Sequence, residues 1–71
     1  MELNLEYNNG GTWFPYNGNV ALRPGQLMID TSDGTEYTFI AQYNVYAWVE
    51  DTYGGYDIIP LKDLQLLVRA I

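Results

Sequence analysis

The chain carries few residues able to perform covalent chemistry. It has no histidine and no cysteine, so the usual base and nucleophile near neutral pH are both missing. The same absence removes the nitrogen and sulfur ligands that zinc prefers. Ser32 is the only serine and stands beside Asp33-Gly34, a pair suited to a tight turn. The stretch "DTSDGTE" (30–36) invites comparison with a calcium loop, which needs Gly at its sixth position and Glu at its twelfth. Counted from Asp30, Gly34 is fifth and the twelfth residue is Ala41, so the match fails and a hairpin turn is expected there instead. A paired-carboxylate hydrolase would need a substrate pocket that a chain of 71 residues has little room to build. No enzymatic activity and no cofactor are expected.

What the chain does carry is contact chemistry. The segment "VYAWVEDTYGGYDIIP" (45–60) crowds three tyrosines and a tryptophan among three acids, with no basic residue. Tyr46, Trp48, Tyr53 and Tyr56 are residue types that dominate binding energy at protein interfaces. Glu50, Asp51 and Asp57 beside them suit Lys or Arg on a partner. These seven form the candidate partner-binding set.

Overall charge points the same way. Nine acids stand against Arg23, Lys62 and Arg69, a net charge of −6. Direct binding to nucleic acid, which needs Lys and Arg to displace counterions, is disfavoured. An anionic membrane surface is disfavoured for the same reason. A protein partner with a basic surface is favoured. The start, "MELNLEYNNGG", has neither the basic region nor the apolar run of a signal peptide, and a cytoplasmic location is expected.

Short strands must position these residues. Turn pairs stand at Asn9-Gly10, Asn17-Gly18, Asp33-Gly34 and Gly54-Gly55, and the runs between them are rich in β-branched and aromatic residues. Period-two alternation predicts strands at 2–7, 12–16, 26–30, 36–42, 45–51, 56–59 and 65–70. On the first, Leu3, Leu5 and Tyr7 share a face; on the fourth, Tyr37, Phe39 and Ala41 do. On the fifth, Val45, Ala47 and Val49 oppose Tyr46, Trp48 and Glu50. "LKDL" (61–64) reads as one 3₁₀ turn, too short for an α-helix. Expected core positions are Leu27, Ile29, Tyr37, Phe39, Ala47, Val49, Ile58, Leu64 and Leu67.

This order, carried by "AWV" (47–49), "GGYDIIP" (54–60) and "LKDL" before "QLLV", resembles an SH3-like small barrel. Short, aromatic, acidic chains of this kind are also similar to the small SH3-like proteins encoded by bacteriophages. The resemblance implies an all-β fold: one domain over 1–71, with a five-stranded barrel in 22–71, a 3₁₀ turn before the last strand and an N-terminal β-hairpin extension in 1–21. Peptide-binding SH3 domains also present tyrosines from the first strand and the 3₁₀ turn. Here "GQLMID" has none, and the turn offers Leu61 and Leu64, which argues against a polyproline groove. The aromatic face is left either open to a partner or covered by the hairpin through Trp13 and Phe14.

Two functions fit. In the first, an acidic protein-binding module inhibits a host nucleic-acid-binding protein of defence or transcription. Glu36, Glu50, Asp51 and Asp57 then form a row that mimics DNA phosphates. In the second, a structural or adaptor module self-associates through the N-terminal hairpin or docks into a larger complex.

Overall fold

Tight turns cut the chain into strands too short to fold alone, so pairing decides the architecture. In the computed structural model, which describes residues 4–71, eight strands and one 3₁₀ turn follow in order. They are β1 (Leu5–Asn9), β2 (Thr12–Tyr16), β3 (Leu27–Asp30), β4 (Glu36–Tyr43), β5 (Tyr46–Glu50) and β6 (Tyr56–Pro60). The 3₁₀ turn Leu61–Asp63 then leads to β7 (Leu64–Leu66) and β8 (Val68–Ala70). The first strand was expected from residue 2; Glu2 and Leu3 lie outside the described residues.

The strands form two antiparallel sheets, β6-β5-β4-β3-β7 and β2-β1-β8. The all-β class and the 3₁₀ turn match expectation. A closed five-stranded barrel does not: among the described residues no pairing joins β6 to β7, and the five-stranded sheet stays open. The single expected strand over 65–70 becomes two, because the chain leaves β3 for β1 at Leu67. There the Leu67 N–H donates to the Leu27 carbonyl, and β8 pairs with β1 directly afterwards. No helix among the described residues is long and apolar enough to cross a membrane.

The core lies on one face of the larger sheet: Met28, Tyr37, Phe39, Ala47, Val49, Ile59 and Leu64, with Leu61 and Leu66 packed against it. Pairing explains why. Residues directly opposite in an antiparallel ladder share a face, so Phe39↔Val49, Ala47↔Ile59 and Met28↔Tyr37 are all turned inward. Leu27 and Ile29, expected inside, are only half-buried, and Ile58 is exposed. Both errors come from runs apolar at every position, "LMI" and "II", where alternation carries no signal. Leu67 is half-buried at the crossing between sheets. Ala41 was expected beside Phe39, but a bulge between Phe39 and Ala41 places it opposite Trp48 on the outer face.

A polar joint ties the two sheets. Gln26 is fully buried; its Oε1 accepts the Arg23 N–H, and its Nε2 donates to the Ala21 carbonyl. Gly25, at φ +94°, donates its N–H to Phe39 and accepts that of Gly10. A Cβ there would lie 2.8 Å from Asn9 Oδ1, so the backbone favours glycine and any larger residue would also have to displace the Asn9 side chain.

The turn after β5 is built around a carboxylate. Asp51 Oδ1 accepts the N–H groups of Tyr53 (2.8 Å) and Gly55 (2.9 Å). We expect Asp51→Ala to cost about 1–3 kcal/mol through these charge-assisted bonds. Asp51→Asn should recover part of the loss because it keeps one acceptor. Urea denaturation of the three proteins checks this.

Candidate functional site

The outer face of β4, β5 and β6 holds the largest grouping of exposed rings. Ladder pairs Tyr43↔Tyr46, Trp48↔Ile58 and Glu50↔Tyr56 set them side by side. Trp48 is 42% exposed, Tyr46 47%, and Tyr43, Tyr56 and Ile58 more so. The rings of Trp48 and Tyr56 meet edge-on, with centroids 5.9 Å apart, a favoured aromatic geometry. Tyr43, Tyr46, Trp48 and Ile58 line an open apolar groove of about 360 Å³. Across Tyr46 runs a second groove of about 570 Å³, bordered by Val45, Pro60, Leu61 and Lys62.

The described residues of the hairpin do not cover this face. Its rings pack among themselves: Tyr7 lies 5.7 Å from Phe14 and 6.4 Å from Tyr16. Trp13 lies under the Arg69 guanidinium, 3.9 Å away, and Arg69 also pairs with Glu6 at 3.0 Å.

Of the seven residues singled out in the sequence, Tyr46, Trp48, Glu50 and Tyr56 come together on this face. The other three do not. Tyr53 is 96% exposed at the tip of the turn. Asp51 is committed to the turn itself. Asp57 pairs with Val49, which places it on the opposite face at the sheet edge, where its Oδ1 accepts the N–H of Ile58. The expected row of Glu36, Glu50, Asp51 and Asp57 is therefore broken. Glu36 pairs with Ile29 and Glu50 with Thr38, so those two share the outer face. Tyr43 and Ile58 were missed. For Tyr43, the two-residue turn at 44–45, with Asn44 at φ +56°, is the sequence signal that would have set it opposite Tyr46.

A second grouping of titratable side chains centres on the buried Tyr37. Burial pushes the Tyr37 phenol above its ordinary value, and the carboxylates of Asp57, Asp33, Asp30 and Asp51 push the same way. Asp33 is itself held below the usual carboxylate range by the N–H and hydroxyl of Thr35. Asp30 is buried, with Oδ1 accepting from the N–H and hydroxyl of Ser32.

Tyr37 gives a pH prediction. A phenol whose pKa is raised on folding contributes stability that is intact below the unfolded value of about 10 and is lost as pH rises through the folded value. Tyr37→Phe should therefore flatten the fall in stability above about pH 10. Chemical denaturation at stepped alkaline pH measures this; equal slopes for both proteins would contradict it.

Comparison of the chain with protein-family models, with curated proteins and with solved structures finds no match.

Proposed function

We propose that this protein acts by binding another protein through the outer face of β4–β6. Tyr43, Tyr46, Trp48 and Ile58 serve as apolar anchors, and Tyr56 and Glu50 stand beside them. The observation that carries this reading is the uncovered apolar groove beside Trp48. Contiguous exposed apolar patches of this kind mark interaction sites and ligand-binding grooves.

The partner in this reading is a nucleic-acid-binding host protein with a basic surface, and the chain is a phage-type cytoplasmic inhibitor that occupies that surface. The net charge of −6 supports it, with Glu36 and Glu50 as the acids on the contact face. Here Asp51 and Asp57 contribute long-range field rather than direct contacts. The fold in this reading is an opened form of the SH3-like barrel. Support comes from the order β6-β5-β4-β3-β7, with a 3₁₀ turn before the strand that returns to β3.

The test is affinity capture from the native host's lysate with wild-type and Trp48→Ala baits, with retained proteins identified by mass spectrometry. A nucleic-acid-binding protein held by the wild type, lost with Trp48→Ala and displaced by added DNA would support the whole reading. Capture unaffected by Trp48→Ala would remove the proposed face. Capture that DNA cannot displace would remove the inhibitor role and keep the face.

A further inference from the structure

Among the described residues the two sheets end in four edge strands: β2, β6, β7 and β8. Exposed edges invite pairing with other chains, and natural proteins guard them with proline, charge or a local cap. β2 carries Pro15. β6 is guarded twice, by Pro60, which has no N–H, and by Asp57, whose carboxylate takes the N–H of Ile58. β7 and β8 carry no proline and form one nearly continuous edge.

Its open side follows from hydrogen-bond phase. The Leu67 N–H donates to Leu27 on β3, and the Ile71 N–H donates to Asn4 beside β1. Odd-numbered residues thus bond toward β3 and β1. The N–H and carbonyl groups of Leu66, Val68 and Ala70 turn the other way, where no strand pairs among the described residues. The one charge between Leu64 and Ile71 is Arg69. Its guanidinium lies over Trp13 and against Glu6, drawn back across its own sheet. The residue that could guard this edge is held away from it.

We propose that Leu66–Ala70 pairs antiparallel with the same strand of a second copy, about a twofold axis through Val68. In that register Leu66, Val68 and Ala70 face Ala70, Val68 and Leu66 of the copy. All three pairs fall in the hydrogen-bonded phase, each exchanging both N–H···O bonds. A strand whose open groups are centred on one residue is complementary to itself, which is why a second copy is the fitting occupant. Charge agrees: Arg69 faces Leu67 of the copy, and no acid lies between Leu64 and Ile71, so the net charge of each chain is not concentrated at the seam. The joined strands extend the three-stranded sheet across the axis. They bring the apolar row of Leu5, Tyr7, Val68 and Ala70, which shares one face through its pairing, against its counterpart. This pairing is independent of the outer aromatic face.

Sedimentation equilibrium of the full chain across micromolar to millimolar concentration tests it. The wild type should form a reversible dimer. Val68→Pro deletes an N–H that has no partner among the described residues, and it should weaken the dimer by roughly tenfold or more while the melt stays cooperative. Trp48→Ala should dimerise as the wild type does. A wild type that is monomeric throughout would overturn the proposal, even if it accepts a foreign extended peptide. So would a dimer that survives in folded Val68→Pro, or one abolished by Trp48→Ala. Should Val68→Pro not fold, amide exchange in the wild type decides. Protection of the Val68 and Ala70 amides that rises with concentration supports the pairing, and protection independent of concentration overturns it.

Discussion

Phe39→Ala is expected to unfold this protein at ordinary temperature. The ring is 3% exposed at the centre of the core, and Phe39 pairs with Val49. Removing it forfeits the transfer energy of the ring and leaves a cavity, together about 3–5 kcal/mol. Below about 70–80 residues a single hydrophobic core rarely supplies more than about 3–5 kcal/mol, so a chain of 71 residues holds little beyond that loss. With no disulfide to limit the unfolded state, packing must supply the stability. Urea and thermal melts read the outcome, and a variant melting within a few degrees of the wild type would contradict the assigned core. The neighbouring pair Ile58 and Ile59 sharpens the test. Ile59→Ala should cost about 2–5 kcal/mol as a core truncation. Ile58→Ala, on the exposed face, should stay near the roughly 0.5 kcal/mol typical of surface changes.

Trp48→Ala is expected to spare the fold and remove most of the binding. A tryptophan at the centre of an interface typically contributes 2 kcal/mol or more, which is about thirtyfold in affinity. Its partial exposure keeps the stability cost below the roughly 3–5 kcal/mol of a core truncation, and the lost edge-on contact with Tyr56 accounts for about 0.5–1.5 kcal/mol of it. Titration calorimetry against the captured partner, paired with a melt, separates the two. A loss of affinity matched by a loss of fold would assign Trp48 to the core rather than to the interface. Glu50→Lys with Glu36→Lys should act mainly on association rate, and its effect should shrink as salt shortens the Debye length from about 8 Å. If that pair left the rate unchanged at low salt, the acids would have no part in the encounter.

Much of the candidate site was legible in the sequence. Tyr46, Trp48 and Glu50 alternate with Ala47 and Val49, and only one of those two sets is small enough to pack densely inside a thin fold. Asp51 and Asp57 were legible as acids near the rings but not as structural groups. Their roles depend on which backbone N–H lies within reach: those of Tyr53 and Gly55 for Asp51, and that of Ile58 for Asp57. Composition counts a carboxylate and cannot say that it is already engaged.

By itself, the sequence determined the all-β class, the hairpin turns, the 3₁₀ turn and the poverty in catalytic groups. Each of these rests on local steric rules or on which side chains are present at all. Only tertiary structure decided which of Ile58 and Ile59 is buried, where the bulge turns Ala41 outward, and that residues 64–70 serve two sheets. It also decided that the described residues of the hairpin leave the aromatic face open, and that Arg69 is held over Trp13 and Glu6. These outcomes depend on register, and register is set by pairing between residues far apart in the chain. Where a run is apolar at every position, local pattern has no preference to express, and the ladder chooses.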